Sequence, residues 1–346
     1  PRGSELGRVL GRLHGELPVP LQQALQLLCA ALGEGHVCLD LNPLAGKRHG
    51  DEPLPKLAAW LKALQAHPAV GAPGQFKPLT LDSAGRLYLT RYWLYEQQLA
   101  KRLLALATAP LEAGDPARLR GLLDGLFASG KQQPDWQKAA AASAVLQRLC
   151  VISGGPGTGK TTTVVKLLAA LQQMADGQLV IRLAAPTGKA AARMSESIRK
   201  AKPGLALADD IAAGIPESAS TLHRLLGSLA DSPRFRHHAG NPLALDVLVV
   251  DEASMIDLAL MAKLTDALPP HARLILLGDK DQLDSVEAGA VFGQLCALRG
   301  YSAAFAAQLQ AAAGVALPLA PQPPVIGNAI MLLQYSYRFD ANSGIG

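Results

Sequence analysis

Residues 154–161 read Gly-Gly-Pro-Gly-Thr-Gly-Lys-Thr, directly behind the apolar run Cys150-Val151-Ile152. The spacing is Gly, four residues, Gly, Lys, then Ser or Thr. No other stretch of the 346 residues restricts the fold as much. A loop of this kind needs glycines because its backbone N–H groups must wrap phosphate oxygens with no Cβ in the way. It also needs a strand before it and a helix after it, since the helix N-terminus brings further amides and a partial positive charge to the same point. Both are expected here, a strand over 150–153 and a helix over 160–173. Gly154, Gly155, Pro156, Gly157, Thr158, Gly159, Lys160, Thr161 and Thr162 are therefore candidate ligands of ATP. Lys160 sets a point charge against the terminal phosphates, and the Thr161 hydroxyl is placed to hold Mg²⁺. A glycine-rich turn of structural origin alone would not need all three features together.

From Asp135 onward, short apolar segments alternate with helical ones. Strands are expected over 150–153, 179–184, 246–250, 273–277 and 329–333, and helices over 160–173, 189–200, 220–229 and 258–267. The alternation predicts an α/β fold, a parallel sheet with helices on both faces, joined by right-handed crossovers. Residues 201–219 and 303–327, rich in Ala, Gly and Pro, read as surface connections. Upstream, helical spacing dominates: Leu21, Leu25, Leu28 and Leu32 before Gly33, then Leu57, Trp60, Leu61 and Leu64 before Pro68. A helix is also expected over 91–106, with Trp93, Leu94 and Leu99 toward a core. One alternating stretch, 85–89, suggests a small strand or hairpin arm, and 110–116 reads as a linker. The expected division is a small, mostly helical N-terminal domain over 1–110 followed by the α/β domain over 111–334.

Composition removes several classes. A hydrophobic share of 49% supplies a core and excludes a disordered polyelectrolyte. No run approaches the ~20 apolar residues of a membrane span, and the first ten residues lack the pattern of a secretory signal. Cys29, Cys38, Cys150 and Cys296 form no Cys-x-x-Cys pair, so neither a zinc site nor a disulfide framework is indicated. A cytoplasmic protein with reduced thiols and no membrane partner is expected. The net charge of +5 permits a nucleic-acid partner without requiring one. Both ends read as cut. Residues 1–4, Pro-Arg-Gly-Ser, are either a tag remnant or native sequence, and Gly346 follows a motif-like segment with no helix to finish it. A fragment is expected.

The second chemical motif is Leu248-Val249-Val250-Asp251-Glu252. An apolar strand tipped by two carboxylates delivers them to the carboxyl edge of the sheet, beside the phosphate loop. Asp251 would bind Mg²⁺ through its waters, and Glu252 would polarise the attacking water. A solvated strand end is the alternative, disfavoured downstream of such a loop. A third strand ends in Gly278-Asp279-Lys280-Asp281-Gln282, where Gln282 is a candidate contact to the γ-phosphate or the water. Thr187 and Lys189, in Pro186-Thr187-Gly188-Lys189, and Thr221 and His223, in Ser220-Thr221-Leu222-His223-Arg224, have two readings. The hydroxyls of Thr187, Ser220 and Thr221 cap helices, or they meet the phosphates of a nucleic-acid strand together with Lys189; His223 is either a core or cap residue or part of that contact. The basic run Lys189, Arg193, Arg199, Lys200 and Lys202 suits the second reading and equally suits a solvated helix face. Near the end, Gln334-Tyr335-Ser336-Tyr337-Arg338-Phe339 offers Arg338 as an arginine finger and Tyr337 as a stacking platform for the base.

In this order the motifs resemble those of superfamily 1 DNA helicases of the RecD type, the subunits of RecBCD-like exonuclease complexes. The matching segments are 151–161, 185–191, 221–227, 250–255, 278–283 and 336–339, with 33–39 similar to the family's N-terminal region. The resemblance implies a phosphate-loop NTPase of RecA-like fold that hydrolyses ATP and moves 5′→3′ on single-stranded DNA from duplex ends. It implies double-strand break repair and recombination as the setting, and RecB-like and RecC-like subunits as partners in a heterotrimer docked by the N-terminal domain. It implies that Gln137, in Asp135-Trp136-Gln137-Lys138, reads the adenine edge. It further implies that 335–346 opens a second motor domain, so that ATP hydrolysis by this fragment alone would be poor. Two other readings compete: a nucleotide-dependent switch or scaffold module, motivated by an N-terminal domain with nothing catalytic in it, and a stand-alone RecD-like helicase.

Overall fold

The structure is a computed structural model describing residues 2–128, 135–282 and 291–333. Two compact units emerge, one built on Pro1–Leu99 with Asp257–Ala262, the other on Ala100–Ile256 with the remaining described residues.

In the first unit, α1 (Arg2–His14), α2 (Val19–Gly33) and α3 (Leu57–Gln65) accompany six short strands. These are β1 (Leu39–Asp40), β2 (Arg48–His49), β3 (Glu52–Pro53), β4 (Val70–Gly71), β5 (Leu79–Leu81) and β6 (Arg86–Leu89). The expected helices over 21–32 and 55–66 are α2 and α3, and the expected arm over 85–89 is β6. The arm belongs to a four-stranded sheet of order β1-β6-β5-β4, with β2 and β3 pairing separately. Leu21, Leu25, Leu28, Trp60, Leu64, Leu79 and Leu87 fill the core. The Trp60 indole, fully buried, donates its N–H to the Pro20 carbonyl at 2.9 Å. A buried aromatic N–H left without an acceptor would cost about 1–3 kcal/mol.

α4 (Thr90–Thr108), which realises the helix expected over 91–106, runs on from β6. In the second unit, α5 (Pro116–Leu126) and α6 (Trp136–Leu146) start at Asp115 and Asp135, whose carboxylates accept the N–H groups of Ala117 and Lys138. Six strands follow: β7 (Leu149–Gly154), β8 (Ile181–Ala185), β9 (Ala219–Thr221), β10 (Val247–Val250), β11 (Arg273–Gly278) and β12 (Ile330–Leu333). Every pairing is parallel, in the order β12-β7-β11-β10-β8-β9. β7, β10 and β11 are apolar and buried on both faces, as a covered parallel sheet requires. α7 (Lys160–Met174), α8 (Gly188–Ala201) and α13 (Ala303–Ala313) are among the helices that cover it. The run Ala139–Ala142 of α6 is wholly buried, small side chains letting that helix pack closely. α9 (Asp209–Ala213), α10 (Leu222–Leu226), α11 (Leu258–Asp266) and α12 (Val291–Cys296) complete the described helices.

Two expectations are corrected. Residues 303–327 are not all surface connection: Ser302 caps α13 by accepting the Phe305 N–H at 3.2 Å, Gly314 ends it at φ 68°, and Phe305, Leu309, Ala312 and Ala313 are buried. Alanine has the highest helix propensity, so an Ala-rich segment behind a serine is a helix once it has a face to bury. The helix expected over 220–229 is shorter, because Ser220 and Thr221 extend the sheet as β9, and Gly227 at φ 77° closes α10.

Candidate active site

In an all-parallel sheet every strand delivers its last residue to one edge. β7 ends at Gly154, and the loop beyond it turns through Gly157 at φ 79° and Gly159 at φ 76° into α7. A Cβ on Gly154 would overlap the Thr158 hydroxyl, and one on Gly159 would overlap the Gln137 amide. The loop is closed on itself by Thr158, whose hydroxyl and N–H both donate to the Gly155 carbonyl, at 2.8 and 3.3 Å. Thr163 stiffens the first turn of α7 by donating its hydroxyl to Gly159 O at 2.8 Å. Thr161 and Thr162 stand exposed on that same turn.

β10 lies one strand away from β7, with β11 between them. Asp251, just past its tip, has Oδ1 4.0 Å from the Lys160 ammonium, both side chains only about one-fifth exposed (22% and 20%). The same Oδ1 accepts the Glu252 N–H at 2.8 Å. Glu252 sits at φ 53°, ψ 40°, a left-handed conformation that costs a non-glycine residue about 1–2 kcal/mol. That turn reverses the chain into the short helix Ala253–Met255. β11 supplies the third strand end. Gly278 is tightly enclosed, since a Cβ there would meet the Phe292 ring at 3.0 Å and the Ser254 N at 3.2 Å. The turn beyond it is tied to β7 by the Lys280 N–H, which donates to Ser153 Oγ at 2.9 Å. Gln282 follows, its N–H on Asp279 O at 3.2 Å and its Oε1 3.4 Å from the Ser254 hydroxyl. Gln137 donates its amide to Thr158 O at 2.9 Å, so the residue expected at the adenine touches the phosphate loop itself.

The phosphate loop with Lys160, Asp251 with Glu252, and Gln282 thus follow the ends of three adjacent strands, and Gln137 reaches the loop from α6. Thr187, Lys189, Thr221 and His223 gather elsewhere on the same edge, beyond β8 and β9, where Ala185 and Thr221 are partners in register. Both threonines cap helices. Thr187 Oγ1 accepts Ala190 N–H at 3.1 Å and Thr221 Oγ1 accepts Arg224 N–H at 3.2 Å. Lys189 is exposed, and His223 is exposed with its ring edge-to-face on Phe235 at 5.6 Å. Of the basic run, Lys200 pairs with Glu196 at 2.7 Å and Lys202 with Glu217 at 3.2 Å, while Lys189, Arg193 and Arg199 are exposed. Tyr337 and Arg338 lie outside the described residues. Sequence reasoning missed Ser153 and Ser254, small polar residues inside buried segments whose only signal was a hydroxyl among apolar neighbours. Burial lifts the Cys150 thiol to about 12 and that of Cys296 to about 11, so both stay protonated near neutrality.

A glycine loop between strand and helix, with a carboxylate-tipped strand one position removed in a parallel sheet, defines the phosphate-loop NTPase class, a nucleotide-binding fold. Within that class the chain belongs to the RecD family. The family model described as "RecBCD enzyme subunit RecD, N-terminal domain" matches residues 4–88, and an AAA domain model matches 137–288. The chain is 44% identical over 302 residues to the RecBCD enzyme subunit RecD of Mycolicibacterium smegmatis, covering 85% of this chain and 52% of that one. It is 43% identical over 296 residues to the RecD subunit of Haemophilus influenzae, covering 83% and 46%. An ATP-dependent RecD2 DNA helicase of Deinococcus radiodurans is 39% identical over 209 residues, 59% of this chain and 25% of that one. The chain spans about half the length of the RecD relatives it matches. Among the described residues, no helix is long and apolar enough to cross a membrane.

Proposed function

We propose that the full-length protein is the ATP-hydrolysing 5′→3′ DNA helicase subunit of a RecBCD-type complex, acting on DNA ends in double-strand break repair and recombination, with RecB-like and RecC-like subunits as partners. The observation that carries the reading is the meeting of Lys160 and Asp251 at the mouth of a glycine loop, in a chain whose first part matches the RecD N-terminal domain. The division of labour follows the sequence: 1–110 docks on the partner subunits, 111–334 is the first motor domain, and 335–346 opens the second.

The backbone amides of 154–160 receive the phosphates of ATP, and the Lys160 ammonium neutralises the terminal ones. Thr161 and Asp251 are hard oxygen donors, one following and one facing Lys160, a donor set suited to Mg²⁺, which keeps most of its waters and binds through few protein ligands. Bound there, Mg²⁺ would offset the negative charge that phosphate transfer must bring together. Glu252 takes the proton of the attacking water from its left-handed turn just past the strand tip. Gln282 reads the γ-phosphate, Arg338 completes the charge stabilisation, Gln137 holds the base side and Tyr337 stacks on it. Thr187, Lys189, Thr221 and His223 face one DNA strand.

A stand-alone helicase is the second reading, favoured by the resemblance to the RecD2 helicase; the match over 4–88 favours the subunit. ATP turnover of the assembled full-length protein, with and without single-stranded DNA, tests the main reading. Stimulation by DNA that disappears in Lys160→Ala supports it, and undiminished turnover in Lys160→Ala sinks it.

A further inference from the structure

His223 is exposed, yet its ring is held. Phe235 meets it edge-to-face at 5.6 Å, and Phe235 is in turn gripped from α11. The Lys263 ammonium lies 5.6 Å from the Phe235 ring centroid and donates to the Pro233 carbonyl at 3.0 Å. One turn on, Asp266 takes the Ala239 N–H at 3.2 Å with Oδ2 and the Arg102 guanidinium at 3.0 Å with Oδ1. The last turn of α11 thus fastens both sides of the segment that carries Phe235.

The segment is also tied to α10. Arg236 N–H donates to Gly227 O at 2.8 Å and His237 N–H to Leu226 O at 3.0 Å, with Ser228 and Phe235 bridged antiparallel. Gly227 must be glycine, because it sits at φ 77° and a Cβ would come within 2.9 Å of Arg236 Cβ. The chain therefore folds back on itself and sets Phe235 against the helix that bears His223. Arg224, Arg234 and Arg236 are exposed around it, a positive surround that suits a phosphate-bearing strand.

An imidazole on a five-residue helix has several rotamers, and a nucleic-acid contact needs one of them. An aromatic ring beside it selects among them, since edge-to-face packing at 5.6 Å favours the rotamer that makes it. We propose that Phe235, held by Lys263 and by Asp266 at the end of α11, is a positioning residue that fixes His223 for contact with single-stranded DNA. The proposal rests on the nucleic-acid reading of the β8–β9 edge and adds residues that no motif marks.

The test is a double-mutant cycle on the full-length protein, read as affinity for a fluorescent oligo-dT. His223→Ala and Phe235→Leu each weaken binding by about fivefold, and the double variant is no weaker than either single one, because the second change removes an interaction already lost. Phe235→Tyr keeps the ring and restores wild-type affinity, whereas Lys263→Met behaves as Phe235→Leu does. Affinity for a non-hydrolysable ATP analogue without DNA stays unchanged in Phe235→Leu and Lys263→Met. Effects that multiply in the double variant, or full affinity in Phe235→Leu, overturn the proposal. Should Phe235→Leu not fold, Lys263→Met and Phe235→Tyr decide it alone, full affinity in the former or lost affinity in the latter overturning it. Wild-type protein that binds no oligo-dT overturns the nucleic-acid reading beneath it as well, which separates the two failures.

Discussion

The two clusters on the carboxyl edge of the large sheet are built on opposite terms. At the β7–β11–β10 ends the proposed ligand is the backbone itself, which needs space: a Cβ on Gly154 or Gly159 would overlap a neighbour, and one on Gly278 would crowd the Phe292 ring. At the β8–β9 ends Thr187 and Thr221 each take up one N–H of a helix start, and the exposed Lys189 and His223 offer side chains rather than backbone. The first cluster should therefore fail on almost any substitution, the second only on changes of charge or direction. A phosphate cradle depends on geometry that one methyl group destroys. A strand-tracking surface spreads its attraction over many weak contacts.

The largest expected effect belongs to the first cluster. Removing the Lys160 ammonium should lower DNA-stimulated turnover by about 10²–10³-fold, the range seen when a positioned charge-stabilising donor is lost. Gly159→Ala should come next. It forces an L-residue to φ 76° at roughly 1–2 kcal/mol and displaces Gln137 from Thr158 O, a hydrogen bond of about 1 kcal/mol. Calorimetry with an ATP analogue should show about a tenfold loss of affinity or more. In a Gln137→Ala background, where the overlap is absent, the same change should cost less, and an equal cost would mean that backbone strain alone accounts for the loss.

How much of this contrast the sequence disclosed follows from the same physics. The glycine cluster was legible because the function proposed for it is a backbone function, and few residue types other than glycine adopt the positive φ of Gly157 and Gly159. Asp251, Glu252 and Gln282 were readable as strand tips because buried parallel strands appear as short apolar runs. The left-handed turn at Glu252 was not, since nothing about a glutamate announces positive φ. At the other cluster, Thr187 and Thr221 showed that a hydroxyl stood before a helix but not what it served. Phe235 carried no signal, because the role proposed for it depends on a lysine from a helix 28 positions on. The four-stranded sheet of the first unit was hidden for a simpler reason. β1 and β4 are two residues each, too short for any period to show.

A smaller effect separates capping from strand contact at the second cluster. Thr221→Ala should lower unfolding stability by about 1 kcal/mol through the lost cap, measured by denaturant titration. Thr221→Asp should retain that stability, because aspartate is as good a cap, while setting a negative charge where phosphates are expected. Its affinity for oligo-dT should fall by about tenfold, or 1.4 kcal/mol. Equal DNA affinity in the two variants would reduce Thr221 to a cap and weaken the contrast between the clusters.

The smallest expected effect is the most diagnostic of a diffuse surface. Lys189 stands exposed on the first turn of α8, two residues past Thr187. If it meets one phosphate, Lys189→Ala lowers affinity only modestly and without sequence preference, since a phosphate contact carries no base information. What should change is the response to salt. Each phosphate neutralised on a single strand contributes about 0.7 to the slope of log affinity against log salt, because one condensed counterion is released. A titration of oligo-dT binding at rising potassium chloride should therefore give a slope shallower by about 0.7 than that of the wild type. An unchanged slope would take Lys189 off the strand's path, and a drop several times larger would mean that its loss repositions neighbouring cations. The second outcome would make this edge as geometrically exacting as the glycine loop.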